Sequence, residues 1–357
     1  MIALLPLLCL TAGLHAGSTP RHALLVLEKE QNTLVIVDPA AMTIVGRVPV
    51  GNDPHEVAVS DDGRTAYITN YHNKDGSGGS TISVVDLVAQ RRLPSIDLGA
   101  LRAPHGLAFA NRKLFFTAEG AKVVGSYDPS TKAIDWVIGT GEDRTHMVVV
   151  AKDGRTIFTS NVSSATVSII SQRAGDFPPR GGPPPGAPSG APPGAPRGGP
   201  PGQGGPPPAD WQVTNVKVGN GSEGFDLSPD GRELWVANAQ DQTISVIDVA
   251  RRAVVQTLPS TKSANRLKFT NDGRYVLVSD LGGNELLVLD ATTRAEFKRI
   301  ALTGNSEGIL LDPDGVHAYT TLNSRDAVAV LDLRTMSVVS EIKTGRGPDG
   351  LAWAARK

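Results

Sequence analysis

Three of the seven histidines in this chain occupy equivalent places in a repeated pattern. His55, His105 and His146 each come immediately before a short apolar run, which reads EVAVS, GLAFA or MVVVA. Four further copies of the pattern carry another polar residue at that place: Glu223, Asn265, Glu307 and Asp349. Imidazole nitrogens and a carboxylate oxygen are suitable ligands for Zn²⁺ or Cu²⁺. The pattern therefore predicts a metal site made of His55, His105, His146 and Glu223.

The same residues have a second interpretation as a polar channel lining. Repeats that close into a ring place these positions at the mouth of a central channel, where loops gather. Polar side chains there can satisfy backbone donors without holding an ion, and a wide channel can keep them apart. If a metal does bind and polarises a carbonyl group, Glu223 or Glu119 would be the catalytic proton acceptor.

Other polar residues are expected at the same mouth. The ends of the second strands supply four candidates to orient the imidazoles: Asn70, Glu119, Asn161 and Asn238. His72 lies in a long loop over residues 71–79 that could act as a lid. Four arginines flank the repeated positions and could hold an anion or pair with carboxylates: Arg102, Arg144, Arg266 and Arg346. Asn70, Asn161, Asn238, Asn265, Glu307 and Asp349 complete the predicted ligand-binding mouth.

Several kinds of chemistry are excluded by the sequence. Cys9 is the only cysteine, and it lies in an N-terminal apolar stretch that is expected to be removed. The mature chain would therefore have no disulfide, thiolate metal site or cysteine nucleophile. A glycine-rich phosphate loop, a Gly-x-Ser-x-Gly elbow and a CxxCH haem attachment motif are also missing from the sequence. A divalent metal, Zn or Cu, is the one cofactor that the residues suggest.

The elements that must position these residues are short strands in a repeat. Residues 219–258 contain an apolar strand, a Pro-Asp-Gly turn and three more strands. An aspartate after the third strand recurs, and Asp248, Asp290 and Asp332 are 42 residues apart. Glycine in the Asp-Gly turns supplies the positive φ that a tight hairpin needs. This period is typical of a four-stranded propeller blade.

The two ends of the chain complement each other. Residues 22–50 contain three strands without an innermost strand, whereas residues 345–353 contain an innermost strand alone. Pairing them makes one composite blade in addition to six internal copies. The prediction is an all-β fold, a seven-bladed β-propeller without free sheet edges.

The strands AYITN and LWVAN, followed by TISVVD or TISVID and a Val-Gly return, resemble the YVTN repeat β-propellers. The resemblance covers residues 21–357. It implies seven blades and an exported bacterial protein of the YncE-like type, but it fixes no activity, because related propellers include both binding proteins and lactonases. WD40 repeats are the near alternative, and the Trp-Asp dipeptide that marks them is absent.

Residues 1–16 read as a signal peptide that would be cut after Ala16, although no Lys or Arg stands near its start. We therefore expect a periplasmic or secreted protein without a transmembrane span in the mature chain. The formal net charge is −1, so the chain lacks the basic excess needed for general nucleic-acid binding.

Residues 173–209 interrupt the third internal blade with a Pro- and Gly-rich stretch. Such a composition predicts an unfolded insertion within a propeller domain that spans residues 21–357. The insertion is either a tolerated surface loop or a tether that binds a proline-recognising partner.

Two classes of function remain open from the sequence. The first is a monomeric binding protein or scaffold that takes a small molecule or protein at the channel mouth. The second is a metal-dependent enzyme, either a hydrolase of the lactonase kind or, less in keeping with the residues, a copper oxidoreductase.

Overall fold

The computed structural model describes residues 18–173 and 210–356. The predicted signal peptide and almost all of the predicted insertion lie outside the described residues. No helix in the described ranges is long and apolar enough to cross a membrane.

The described chain forms 28 β-strands and three short 3-10 helices. The strands of the first half are β1 (His22–Glu28), β2 (Thr33–Asp38), β3 (Thr43–Pro49), β4 (Pro54–Val59), β5 (Thr65–His72), β6 (Gly78–Asp86), β7 (Arg91–Asp97), β8 (Pro104–Ala110), β9 (Lys113–Ala118), β10 (Val123–Asp128), β11 (Ala133–Gly139), β12 (Thr145–Val150), β13 (Thr156–Asn161) and β14 (Thr166–Arg173).

The strands of the second half are β15 (Asp210–Lys217), β16 (Ser222–Leu227), β17 (Glu233–Asn238), β18 (Thr243–Asp248), β19 (Ala253–Pro259), β20 (Ala264–Phe269), β21 (Tyr275–Asp280), β22 (Glu285–Asp290), β23 (Glu296–Ala301), β24 (Ser306–Leu311), β25 (His317–Leu322), β26 (Ala327–Asp332), β27 (Ser337–Lys343) and β28 (Pro348–Ala355). The 3-10 helices are η1 (Lys29–Gln31), η2 (Glu119–Ala121) and η3 (Asn323–Arg325).

These strands form seven four-stranded antiparallel sheets, which are the blades. Blades 1 to 6 take four consecutive strands each, starting from β4, β8, β12, β16, β20 and β24. The composite blade has the order β28-β1-β2-β3, so the last strand of the chain pairs with the first. Innermost strands of neighbouring blades contact one another all around the ring. The predicted seven-bladed propeller and its closure are confirmed.

The core lies between the faces of neighbouring blades. One cluster joins Trp235 and Val246 of blade 4 to Leu267 and Phe269 of blade 5, and Trp235 is fully buried. Burial of each such side chain contributes about 1.5–3 kcal/mol, so blade-to-blade packing holds the ring rigid. The innermost strands can therefore present polar residues to the channel.

The turns have the chemistry that the sequence predicts. Gly231 in the Pro-Asp-Gly turn of blade 4 has φ 76°, a conformation that favours glycine. In six blades the third strand ends in an aspartate that caps the following turn, and Asp86 Oδ1 accepts hydrogen bonds from the amides of Val88 and Ala89. Blade 2 has no Asp-Gly turn, and there Asn111 and Arg112 both take positive φ.

Candidate functional site

Every innermost strand carries the same irregularity at its start. In blade 3, Thr145 pairs with Asn161, but the next partners are Val148 and Thr159, so one extra residue bulges from the innermost strand. The same one-residue shift occurs in all seven blades. The sequence-predicted residues are the second residue of each innermost strand, not the first, and they lie on this bulge: His55, His105, His146, Glu223, Asn265, Glu307 and Asp349. We call them the ring residues. A bulge re-aims side chains, which explains how a regular sheet directs these residues to a common mouth.

Buried hydroxyl groups fix three consecutive ring residues. Thr117 Oγ1 accepts a hydrogen bond from the Gly106 amide at 2.8 Å and donates to the His146 carbonyl at 2.5 Å, in the next blade. Thr69 and Ser160 donate in the same way to the carbonyls of His105, at 2.9 Å, and Glu223, at 2.6 Å. Each hydroxyl thus links one bulge to the next, and this linkage sets the spacing of these three ring residues.

Glycine after the ring residue allows the innermost strands to approach closely. A Cβ atom on Gly106 would lie 2.5 Å from the His146 carbonyl oxygen, and one on Gly350 would lie 2.4 Å from that of His55. Real Cβ atoms do not come so near to backbone oxygen. The ring residues of neighbouring blades are brought into contact because these positions have no side chain.

The three predicted histidines lie side by side. The ring centroids of His55 and His105 are 4.8 Å apart, and those of His105 and His146 are 3.7 Å apart. The Tyr71 ring packs edge-on against both His55 and His105. Proximity of the histidines is therefore as the sequence predicts, although their environments differ.

His146 is buried between two carboxylates. Its Nδ1 lies 2.5 Å from Glu119 Oε1, and its Nε2 lies 2.9 Å from Glu223 Oε2. The Tyr71 hydroxyl donates to the other oxygen of Glu119 at 2.5 Å. Burial alone would lower the pKa of His146, but its interactions with Glu119 and Glu223 outweigh burial and raise that pKa. The two carboxylates therefore favour the imidazolium form of His146.

The two carboxylates respond in the opposite direction. Burial works to raise the pKa of Glu223, but its hydrogen bond with His146 lowers that pKa to about 2. The pKa of Glu119 is lowered as well, because its interactions with His146 and Tyr71 outweigh its burial. Ionised and already paired, neither carboxylate is well suited to act as a proton acceptor near neutral pH.

His105 has no hydrogen-bond partner for its buried Nδ1 within the described ranges. Burial lowers the pKa of His105 well below the ordinary histidine value, and the adjacent His146 and His55 lower it further. His105 is therefore a neutral imidazole beside a charged one. A neutral imidazole offers one donor and one acceptor nitrogen.

His55 belongs to a third environment. Its Nε2 lies 3.2 Å from Asp53 Oδ1 and its Nδ1 lies 3.5 Å from Asp349 Oδ2. Asp53 Oδ2 also contacts His72 Nδ1 at 2.5 Å, so the predicted lid residue joins the same cluster. Burial works to raise the pKa of Asp53, but the hydrogen bonds with His55 and His72 lower it to about 2.

The mouth is acidic on the far side of His55 from His105. Asp349 and Glu307 share Lys29, whose Nζ lies 3.2 Å from Asp349 Oδ2 and 3.9 Å from Glu307 Oε1. Asn323 Nδ2 donates to Glu307 at 3.1 Å. Burial raises the pKa of Glu307 to about 7, and the nearby negative charge of Asp349 adds to the effect.

Arg266 crosses the channel from blade 5 to blade 1. Its Nη2 donates to Glu56 Oε1 at 3.0 Å, and its Nη1 lies 4.0 Å from Glu223 Oε2. The side chain is only 10% exposed. The carboxylates around Arg266 raise its pKa despite burial, so the guanidinium is charged. Arg144 likewise lies 3.5 Å from Glu119, whereas Arg346 pairs outside the ring with Glu30.

The second strands contribute to the mouth differently from the prediction. Asn70, Asn161 and Asn238 hydrogen-bond to Thr or Ser on the third strands of their own blades and to no imidazole among the described residues. Glu119 is not their equivalent, because Pro104 pairs with Ala118, where Pro54 pairs with Asn70. Glu119 comes one residue later, as the first residue of η2.

This one-residue offset explains which side chains reach the ring. Lys29, Glu119 and Asn323 each begin a 3-10 helix immediately after a second strand, and each contacts a ring residue. Tyr71 is the corresponding residue of blade 1. Shifting by one residue along a strand moves a side chain to the other face of the sheet. Sequence reasoning missed Lys29 and Tyr71 because it aligned the strand ends one position too early.

In the described structure, the ligand atoms of the four predicted metal residues do not all lie within 4.8 Å of one another. Among the described residues, one group of three or more potential ligands has its atoms within 4.8 Å of one another, namely Asp312, Asp314 and His317. That group belongs to the turn between β24 and β25, away from the ring residues, and it is a capped turn in which Asp314 accepts from the His317 amide. Metal binding by the ring histidines remains a prediction.

Comparisons with known protein sequences give one partial match to a family model. The family model of the cytochrome D1 heme domain matches residues 205–317, less than half of the chain. No curated protein sequence matches the chain. The resemblance to YVTN repeats therefore remains a prediction at the level of family.

Solved structures with similar folds cover nearly the whole chain. A functionally unknown protein from Desulfotomaculum acetoxidans has a TM-score of 0.71 at 11% identity, over 94% of this chain and 99% of that chain. The periplasmic gluconolactonase PpgL of Pseudomonas aeruginosa has a TM-score of 0.67 at 17% identity, over 94% and 99%.

The dihydro-heme d1 dehydrogenase NirN, in complex with DHE, has a TM-score of 0.61 at 16% identity, over 90% of this chain and 63% of NirN. This chain thus spans less than two thirds of NirN. At such identities, the likenesses establish that the chain has a β-propeller fold.

Proposed function

We propose that the chain is a binding protein that takes a small polar ligand at the channel mouth formed by the ring residues. The observation that carries the proposal is a set of buried polar atoms at the mouth without hydrogen-bond partners in the described ranges. They are His105 Nδ1, Asn265 Oδ1 and Arg266 Nη1. His146 Nε2 also lacks a partner in hydrogen-bond geometry, but it lies 2.9 Å from Glu223 Oε2 in an ion pair. Three of the four atoms belong to ring residues, and Arg266 follows a ring residue directly.

Such atoms are costly in a folded protein. A buried polar group without a partner costs about 1–3 kcal/mol, and most such groups are paired in native structures. Other polar groups at this mouth, by contrast, are paired: Glu119 contacts both Tyr71 and His146, and Lys29 donates to Asp349. A ligand with donors and acceptors would satisfy the unpaired atoms and recover part of that cost.

Saturation-transfer NMR with a small panel of probes tests the proposal, because the method detects even weak binding of small molecules. The probes are three neutral sugars, D-glucose, D-galactose and D-ribose, together with anionic D-gluconate and cationic D-glucosamine. We expect at least one probe to bind, and His105→Phe to abolish that binding. His317→Phe, at the start of β25 and outside the ring, is the matched control and should bind normally. No binding by any probe, or equal binding by His105→Phe, would contradict the proposal.

A metal-dependent hydrolase of the lactonase kind is the second candidate. It is supported by the row of three imidazoles and by the likeness in fold to a gluconolactonase. Against it, both nitrogens of His146 are engaged by carboxylates, so a metal would first have to displace Glu119 or Glu223. His105 Nδ1, which has no hydrogen-bond partner or carboxylate neighbour among the described residues, would be open to an ion.

Elemental analysis after dialysis against Zn²⁺ or Cu²⁺ decides this candidate. Stoichiometric metal that is lost in His55→Ala, His105→Ala and His146→Ala, but kept in His317→Ala, would support it. A metal-loaded enzyme should then hydrolyse D-glucono-1,5-lactone. Less than one tenth of an equivalent of metal in the parent protein would reject it, and with it the copper oxidoreductase.

The matching family model is that of a cytochrome D1 heme domain, and NirN is named a dihydro-heme d1 dehydrogenase, but the channel does not fit a planar macrocycle. The Arg266–Glu56 ion pair, at 3.0 Å, crosses from blade 5 to blade 1. The His105 ring is packed against His146 on one side and His55 on the other. We therefore derive no chemistry through a haem.

We also propose that the protein is exported, on the basis of residues 1–16 of the sequence. Mass spectrometry of the protein from its native host should find a mature N-terminus near Gly17 in the periplasmic or secreted fraction. An intact Met1 on cytoplasmic protein would overturn this proposal.

A further inference from the structure

We propose that the ligand is an uncharged polyhydroxylated molecule, of the sugar or sugar-lactone class, and that Arg266, Asn265 and His105 recognise it. This inference rests on the proposed ligand-binding function and specifies the chemistry of that ligand. It follows from what the three unpaired groups require and from the charges that surround them.

Arg266 requires a hydrogen-bond acceptor in a fixed place. One of its terminal nitrogens, Nη2, is held by Glu56, while Nη1 is buried without a hydrogen-bond partner. Gly224 of the neighbouring blade makes room for this side chain, because a Cβ there would lie 2.8 Å from Arg266 Cδ. The guanidinium is thus immobilised, with the N–H groups of Nη1 left to bind an oxygen atom.

Asn265 and His105 require complementary groups on the same ligand. The buried Asn265 amide oxygen accepts a hydrogen bond, so the ligand must donate there. Neutral His105 can either accept or donate through its Nδ1, depending on which nitrogen carries the proton. A hydroxyl group can serve any of these roles, and a molecule with several hydroxyls can serve all three.

The charges around Arg266 disfavour a charged group at Nη1. An anion bound at Nη1 would lie near Glu56 and Glu223, whose carboxylates are already 3.0 and 4.0 Å from the guanidinium. A cation would be repelled by Arg266 itself and by the protonated His146. A neutral oxygen, either a hydroxyl or a lactone carbonyl, gains the charge-assisted hydrogen bond without that repulsion.

The five NMR probes share polyhydroxylated skeletons and differ in charge, so titration calorimetry with them tests the inference. We expect a neutral sugar to bind at least tenfold more tightly than either D-gluconate or D-glucosamine. Arg266→Met and Asn265→Leu should each weaken its binding by about tenfold or more. Arg325→Met, at an exposed residue of η3, is the matched control and should leave affinity unchanged. Thermal melts of each variant check that it is folded.

Glu56→Gln keeps the test decisive even if Arg266→Met fails to fold. This variant removes one carboxylate beside the guanidinium, so D-gluconate should gain about tenfold in affinity while the neutral sugar changes little. Tight binding of a charged probe by the parent protein would overturn this inference but leave the proposed binding function intact. Neutral-sugar binding that survives both Asn265→Leu and Arg266→Met would do the same. If no probe binds, the proposed function falls as well.

Discussion

The imidazole rings of His105 and His146 lie 3.7 Å apart, yet the pKa of His105 is lowered by burial while that of His146 is raised by its carboxylate neighbours. His146 has a carboxylate at each nitrogen, whereas the buried Nδ1 of His105 has none. The blades on either side of His146 supply its two carboxylates. Glu119, at the start of η2, and Glu223, on blade 4, both reach His146. The difference makes His146 a structural part of the mouth and leaves His105 available to a ligand.

Substitution of these two histidines should therefore have unequal effects on stability. His146→Leu leaves Glu119 and Glu223 buried without their common partner and should cost about 3–5 kcal/mol. His105→Leu removes an unsatisfied polar atom and should cost less than about 1 kcal/mol or even stabilise the fold. Urea denaturation measures both. Equal losses would contradict the assignment of roles.

The hydroxyl linkage between bulges is also testable. Thr117→Val deprives the Gly106 amide and the His146 carbonyl of a buried partner and should cost about 1–3 kcal/mol. Thr320 is an equally buried threonine, but its hydroxyl has no partner among the described residues. Thr320→Val should therefore be neutral or stabilising in the same denaturation experiment. A larger loss for Thr320→Val than for Thr117→Val would refute the linkage.

Glu307 should make the fold less stable as pH rises. Its pKa in the folded protein is about 7, above the ordinary 4.5, because of burial and Asp349. A group with a raised folded pKa contributes stability below its unfolded pKa, and that contribution is lost as pH rises through the folded pKa. The loss should therefore develop between about pH 4.5 and pH 7.

Glu307→Gln keeps the uncharged form at every pH. Relative to the parent, it should be similar at pH 4.5 and more stable by up to about 3 kcal/mol at pH 8. Melting temperatures across this range provide the measurement, and Glu30→Gln, at an exposed residue of η1, is the control. A parent and variant with parallel pH profiles would show that Glu307 ionises normally.

Closure of the ring through β28 gives a further prediction. Removing residues 348–355 deletes the innermost strand of the composite blade and exposes the edge of β1, whose Leu24 and Leu25 are fully buried. The shortened chain should lose cooperative thermal unfolding. A retained, sharp transition close to the parent melting temperature would show that the composite blade does not close the fold.

Much of the fold was predictable from the sequence because it depends on local signals that repeat. Asp-Gly turns, alternating apolar residues and the complementary chain ends were enough to predict seven blades. The sequence was also enough to predict which residue of each innermost strand lies at the mouth. His55, His105 and His146 could be aligned because a short apolar run follows each of them.

The contacts between side chains within the mouth were not predictable from the sequence. The residues that reach the ring residues come one position after the ends of the second strands, as Lys29 and Glu119 do. Asn70, at a strand end, instead donates a hydrogen bond to Thr81 of its own blade. The Arg266–Glu56 pair joins residues 210 positions apart and depends on the closed ring. No local pattern encodes such contacts, because they follow from how blades are stacked.

The central claim is that a ligand binds at the ring residues, and long-range ¹H–¹⁵N NMR of the histidine side chains tests it most directly. At pH 7 and without probe, His146 should show the doubly protonated pattern and His105 a neutral tautomer. Saturation with a neutral sugar that binds should shift the His105 nitrogen resonances and leave those of His317 in place. A sugar that binds by calorimetry without moving the His105 resonances would contradict the account.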